Sequence, residues 1–341
     1  MNDNRPIVGI TMGDPVGIGP ELICLALNRP EVYDVARPLV IGDVQVLEKA
    51  KFITKSPSLI ATVNSPGAAS YKPGCIDVLN SSNIDPETLV WGQPTEITGK
   101  AMEHYIINAI DMALNDDIAA IATCPINKTA LKLAGSQYHG HTELLADRTG
   151  TVEYAMMMAG DRLRVVLVTI HMSLKQVPQS LTIENIMSTI ETTDYSLKQR
   201  FGLERPKIAV AGLNPHAGEA GMFGDEEARM IEPAVSFSKK NGIVVSGPYP
   251  PDTVFVNAMN GEFDAVVCMY HDQGLIPFKM IHFFDGVNTT LGLPIIRTSV
   301  DHGTAYDIAG KGVADPGSLI QAIRLAADQA ICQIEKNCGP A

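Results

Sequence analysis

The residues best suited to chemistry are histidines that sit where apolar runs end. The chain holds eight histidines among 341 residues, and three of them, His171, His216 and His271, lie just beyond stretches that read as buried strands at 165–170, 208–211 and 265–270. A neutral imidazole is a good ligand for a divalent ion. Three of them converging from separate strand ends would form a ligand set for zinc or a similar cation, with positions left open for substrate or water. Each histidine could equally cap its strand and hydrogen-bond a neighbouring carbonyl. Spacing alone does not choose, because a ligand set drawn from distant strand ends has no sequence period. Asp272 and Asp252 are candidates to orient such imidazoles as acceptors or to touch a substrate directly.

A second group of residues is suited to anions. Gly140-His141-Thr142-Glu143 precedes a helical pattern at 144–148, so Thr142 reads as a helix cap or, with His141, as a donor to a phosphate or carboxylate. Lys279, Asn288 and Arg297 add two cations and an amide able to hold a doubly anionic substrate, although Lys279 by itself reads as well as a solvated side chain. Gly13-Asp14-Pro15-Val16-Gly17-Ile18-Gly19-Pro20-Glu21 follows a strand and opens a helix. Its amides could face an anion, or the segment could be a tight structural turn. It is not the Gly-x-Gly-x-x-Gly dinucleotide fingerprint.

Elements of one form must position these groups. Continuous apolar runs at 7–12, 39–41, 118–123, 165–170, 208–211 and 265–270 are each followed by a polar or glycine-rich turn and a helical pattern. Runs without alternation suit strands covered on both faces, which predicts an α/β sandwich with mainly parallel strands. In such sheets ligands bind beyond the carboxyl ends of the strands, where Gly13-Asp14, 124–128, His171, His216 and His271 all fall. The length predicts two domains, since cores tend to split beyond ~250 residues. A formal net charge of -12 opposes binding to nucleic acid or an anionic membrane, so an anionic substrate needs local cations. The six cysteines show no Cys-x-x-Cys spacing and read as reduced thiols. No stretch reaches the ~18 uninterrupted apolar residues of a membrane span. With a polar start at 1–6 that lacks the layout of a secretory signal, a cytoplasmic location is expected.

The segment 301–316, Asp-His-Gly-Thr-Ala-Tyr-Asp-Ile-Ala-Gly-Lys-Gly-Val-Ala-Asp-Pro, resembles the loop by which isocitrate and isopropylmalate dehydrogenases hold the adenosine end of NAD. That resemblance makes Gly303, Thr304 and Asp307 candidates for cofactor contact. Further motifs are Gly-Asp-Pro-x-Gly-Ile-Gly-Pro-Glu at 13–21, Gly-His-Thr-Glu at 140–143, Asn-Pro-His-Ala-Gly-Glu at 214–219, Tyr-His-Asp-Gln-Gly at 270–274 and Ile-Arg-Thr-Ser-Val-Asp-His-Gly-Thr-Ala at 296–305. Together they make essentially the whole chain similar to the 4-hydroxythreonine-4-phosphate dehydrogenase family of vitamin B6 synthesis.

The resemblance implies a two-domain α/β/α sandwich of the isocitrate/isopropylmalate dehydrogenase type, with mainly parallel sheets and an active site in the interdomain cleft at a homodimer interface. The expected domains are 1–140 plus 300–341, and 141–299. The resemblance also implies one divalent metal held by His171, His216 and His271, with ligands drawn from both subunits. Zinc suits three imidazoles best, and Mg, Mn or Co could serve. The substrate would be held by His141, Thr142, Lys279, Asn288 and Arg297, and NAD or NADP would accept the hydride. The expected reaction oxidises and decarboxylates a 4-phosphorylated four-carbon hydroxy acid at its C3 hydroxyl, foremost 4-phospho-hydroxy-L-threonine to 3-amino-2-oxopropyl phosphate. One branch of the family instead turns D-threonate or D-erythronate 4-phosphate into dihydroxyacetone phosphate. Asp14 and the run Phe283-Phe284-Asp285-Gly286-Val287-Asn288 lean toward that branch. Asp272, Asp252 and Lys128 are candidates for the base that removes the substrate proton. Rival readings are a metal-dependent sugar-phosphate aldolase or hydrolase, which needs no nicotinamide, and a non-catalytic phosphate sensor.

Overall fold

A computed structural model describes residues 3–138 and 140–338 of the chain. Its strands, numbered in chain order, are β1 Ile7–Thr11, β2 Arg37–Gly42, β3 Leu59–Val63, β4 Cys75–Asn80, β5 Ala120–Thr123, β6 Ala155–Ala159, β7 Arg164–Leu167, β8 Ile208–Ala211, β9 Val245–Tyr249, β10 Ala265–Cys268, β11 Val287–Leu291 and β12 Arg297–Val300. The chain divides into two compact units. One joins Met1–Thr151 with Leu293–Ala341, and the other is Val152–Gly292.

In the first unit the strand order is β3-β4-β2-β1-β5-β12, with every pairing parallel. Parallel neighbours require crossovers that lay helices on the sheet, so the central strands are buried along almost their whole length. Helices Glu96–Leu114 and Gly317–Cys338 both pack on β1 and β5. The core gathers Val8, Ile10, Leu39, Ile41, Tyr105 and Ile121.

The second unit has the order β11-β6-β7-β10-β8-β9. Here β6 runs antiparallel to both neighbours, and the pairings from β7 through β9 are parallel. Its core packs Val165, Leu167, Ala209, Val266 and Cys268 from the strands against Phe278 and Leu275 of helix His271–Ile281.

The six apolar runs appear as β1, β2, β5, β7, β8 and β10. Of the other six strands, β6 is also an uninterrupted apolar run, Ala-Met-Met-Met-Ala, that the sequence reading passed over, and the remaining five are broken by polar residues. In β3 Leu59 and Thr62 are exposed and only Val63 is buried, β9 holds Gly247-Pro248, and β11 and β12 bury hydroxyls at Thr289, Thr290, Thr298 and Ser299. Division at 140/141 and 299/300 would put helix His141–Thr149 and Arg297 in the second domain. Both belong to the first unit, because that helix packs on Glu96–Leu114 and β12 pairs with β5. Among the described residues no helix is long and apolar enough to cross a membrane. Cys24, Cys75, Cys124, Cys268 and Cys332 are free thiols, three of them buried, and the side chain of Cys338 lies outside the described residues.

Candidate active site

The three histidines all lie in the second unit, past β7, β8 and β10. Backbone bonds from Val168 to the Cys268 carbonyl and from Thr169 to the Met269 carbonyl continue the β7–β10 pairing beyond the strand ends. They bring the two tips together, and the His171 and His271 rings stand 5.8 Å apart between centroids. Asp272 shares a 2.7 Å hydrogen bond with Nδ1 of His271, so Nε2 is the ring nitrogen left to serve as a ligand. Buried Gln273 accepts from the Met269 amide at 2.7 Å and donates to the Gly212 carbonyl at 2.6 Å, so it ties the His271 segment to the loop that carries His216.

That loop is strained. His216, Ala217, Glu219 and Ala220 all have positive φ, between 43 and 54°. Left-handed backbone costs an L-residue roughly 1–2 kcal/mol, so four residues cost about 4–8 kcal/mol. Glu227, 3% exposed, supplies an opposing anchor. Its carboxylate accepts from the Leu213 and Asn214 amides at 2.7 Å each and from Asn214 Nδ2 at 3.0 Å. Bonds to a charged acceptor contribute ~1.5–3 kcal/mol each, which matches the strain in size. The turn presents His216 to solvent, with Nδ1 3.1 Å from Glu219 and the ring against Phe223. Among the described residues no group of three His, Cys, Asp or Glu side chains is arranged to hold a metal within the single chain. The structure brings His171 and His271 together. By contrast His282 is buried, bonded through Nδ1 to Asp285 and stacked on Phe278, as a core histidine should be.

In the first unit Arg297 is 4% exposed, and its Nη2 donates to Thr123 Oγ1 at 2.8 Å. Burial lowers its pKa to about 10, so it stays cationic at neutral pH. His141 lies close enough to feel that charge. Burial first, and then Arg297, hold its pKa well below the usual histidine value, so the imidazole is neutral. Its Nε2 is buried with no hydrogen-bond partner among the described residues. An orphaned imidazole nitrogen beside a buried cation is suited to receive an anionic oxygen. Thr142 is the second residue of helix His141–Thr149 and does not cap it; Gly140 takes the cap position with no side-chain bond. Lys128 opens helix Lys128–Leu133, capped by Asn127, and is exposed.

Around 301–316, Gly303 and Asp307 are exposed and a Cβ at Gly303 would meet nothing within 4 Å, whereas Thr304 is buried. Open backbone beside an outward carboxylate fits the ribose end of a nucleotide. Thr304 instead uses its carbonyl to accept from the Ile18 amide at 3.1 Å. The 13–21 segment is therefore a structural turn: Asp14 takes the Val16 amide at 3.1 Å through its own carboxylate, and Ile18 is spent on Thr304.

The family described as pyridoxal phosphate biosynthetic protein PdxA matches residues 34–326. The chain belongs to this family. It is 62% identical over 330 residues to a protein from Desulforapulum autotrophicum named 4-hydroxythreonine-4-phosphate dehydrogenase, covering 97% of each. It is also 46% identical over 331 residues to the D-threonate 4-phosphate dehydrogenase of Cupriavidus necator, covering 97% of this chain and 99% of that one. The crystal structure of 4-hydroxythreonine-4-phosphate dehydrogenase from Klebsiella pneumoniae matches with a TM-score of 0.90 at 44% identity, over 97% of this chain and 99% of that one. Like these PdxA-family relatives, the chain is an oxidoreductase of the dehydrogenase class, which sets aside the aldolase and sensor readings.

Within this PdxA-family chain, Asp14 is fully buried and accepts from the Tyr306 hydroxyl. Its identity therefore reports on packing against 301–316 and does not read a substrate substituent, which removes one of the two leanings toward the D-threonate branch. Asp252 is exposed in the turn before helix Val254–Met259. Lys279 and Asn288 lie half-buried in the second unit, and Asn288 Oδ1 is buried with no partner among the described residues. Sequence reasoning missed Gln273, Glu227 and Glu21. An acid inside an otherwise apolar helical pattern was the available signal for Glu21, whereas Gln273 and Glu227 lie among polar neighbours and carried no local signal.

Proposed function

We propose that the chain is an NAD-dependent dehydrogenase that oxidises and decarboxylates 4-phospho-hydroxy-L-threonine at its C3 hydroxyl, giving 3-amino-2-oxopropyl phosphate. The observation that carries this reading is the buried Arg297 beside the unpartnered Nε2 of neutral His141, a built receptor for a phosphate or carboxylate within a PdxA-family fold. Relatives at 62% and 60% identity bear the 4-hydroxythreonine-4-phosphate dehydrogenase name, against 46% for the D-threonate enzymes, which favours the amino substrate. Arg297, His141 and Thr142 hold the anion, and the same role is proposed for Lys279 and Asn288 of the second unit. His171, His216 and His271 are proposed as ligands of one divalent ion, zinc foremost. Support comes from the facing His171 and His271 rings and from Asp272 bonded to Nδ1, which fixes the tautomer that leaves Nε2 free to ligate.

When bound, the ion would acidify the C3 hydroxyl and stabilise charge during loss of CO2, while NAD would take the hydride. Asp272 orients His271, and so Asp252 and Lys128, both exposed, are the freer candidates to accept the hydroxyl proton. Gly303 and Asp307 are proposed for cofactor contact, with Thr304 as an internal pin. Among the described residues no three His, Cys, Asp or Glu side chains are arranged to hold a metal within one chain, which supports a homodimer whose partner completes the ligand set. Ile276, Met280, Phe283 and Phe284, all exposed on one helix and its following loop, supply an apolar face for such a contact. The free thiols support a reducing, cytoplasmic setting. The test follows NADH formation, with and without a chelator, on 4-phospho-hydroxy-L-threonine, D-threonate 4-phosphate and D-erythronate 4-phosphate side by side. Fastest turnover on either threonate-type substrate would replace the substrate assignment, and turnover that survives full metal removal would end the metal reading.

A further inference from the structure

The 304–312 loop is pinned in place by acidic side chains that the reaction itself does not call for. Glu21, fully buried in helix Gly19–Ala26, accepts from the Gly310 amide at 2.5 Å and from the Gly312 amide at 2.7 Å, one with each oxygen. Asp14 accepts from the Val16 amide with one oxygen and from the Tyr306 hydroxyl with the other. Trp91 covers the backbone between these anchors: a Cβ at Gly310, whose φ is +80°, would come within 2.5 Å of the indole. Burying a carboxylate is costly unless its oxygens are satisfied, and Glu21 satisfies both on one glycine-rich turn. Such a turn has one low-energy arrangement before any ligand arrives.

We propose that Asp14 and Glu21 are positioning residues for the nicotinamide cofactor, holding the 304–312 loop so that neighbouring Gly303 and Asp307 meet the nucleotide without an ordering step. The proposal rests on the reading of 301–316 as the cofactor loop. A loop already ordered loses less entropy on binding, so its anchors set cofactor affinity without touching the cofactor.

The test uses the whole chain and NADH as the probe, read through quenching of Trp91, the single tryptophan in the sequence. In Glu21→Gln the amide NH2 opposes one of the two glycine amides, and NADH affinity is expected to fall about tenfold or more. The KM for NAD should rise with it, affinity for inorganic phosphate should stay at the wild-type value, and exchange of the Gly310 and Gly312 amides should quicken. Tyr306→Phe, which removes one hydroxyl and leaves the Asp14 carboxylate in place, should show the same pattern to a smaller degree even if Glu21→Gln does not fold. Wild-type NADH affinity in both variants, or equal losses for NADH and phosphate, would overturn the proposal. If the wild-type protein itself bound no NADH, the cofactor reading would fall first and this inference with it.

Discussion

In the first unit the groups suited to an anion are buried and already assembled: Arg297 is held on Thr123, and neutral His141 stands beside it with an unpartnered nitrogen. In the second unit the groups suited to a metal are exposed at His171 and His216 and half-buried at His271, and the His171 and His271 rings meet. The difference follows from where each group sits. Arg297 lies within β12, and its position is dictated by strand pairing with β5, so the anion receptor forms as the sheet forms. His171 and His216 hang on loops beyond their strands, and at His216 backbone strain and a few carboxylate bonds do the positioning. A site of the first kind is preorganised by the core. A site of the second kind depends on anchors that single substitutions can release.

The sharpest break in this comparison is His271→Ala. It should abolish metal retention and turnover together while leaving inorganic phosphate binding intact, as read by metal analysis and thermal shift with phosphate. Loss of phosphate binding as well would mean that the two groups are not separable. Arg297→Met, which keeps most of the side-chain volume, should raise KM for the phosphorylated substrate about 10- to 100-fold, the size of a lost charge-assisted bond, with metal content unchanged. An unchanged KM would remove Arg297 from the anion receptor. Glu227→Gln should weaken metal affinity ~10- to 100-fold, as loss of a group supporting a ligand does, measured by competition with a chelator. Wild-type metal affinity in that variant would sink the anchoring role given to Glu227.

The smallest effect is a pH dependence of stability. His141 has a folded pKa depressed by burial and Arg297 from an unfolded value near ~6.5. Below about pH 6.5 the unfolded chain takes a proton that the folded chain refuses, so stability is full above that pH and declines as pH falls toward the folded value. The thermal midpoint of the wild type should therefore drop more between pH 7 and pH 5 than that of His141→Gln. Parallel curves would show that His141 is not held neutral by the fold.

Much of this was legible in the residues. The six uninterrupted apolar runs became buried strands of the two units, because a strand covered on both faces favours apolar side chains at every position. The histidines were legible for the same reason, as polar residues that end such runs. β11 and β12 were not, because they bury threonine and serine hydroxyls whose partners lie far along the chain: Thr298 Oγ1 donates to the Ala322 carbonyl in helix Gly317–Cys338, which no local pattern announces.

The chain by itself determined the positions of β1, β2, β5, β7, β8 and β10 and which side chains follow their ends, since both follow from local apolar pattern and turn chemistry. Tertiary structure alone decided that His141 is a neutral group beside a buried cation and that Asp14 and Glu21 pin the 304–312 loop. It also decided that the His171 and His271 rings come within 5.8 Å of each other. Each of these depends on groups distant in sequence sharing a low-dielectric or close-packed space, and burial, pKa and hydrogen-bond partnership are properties of that space.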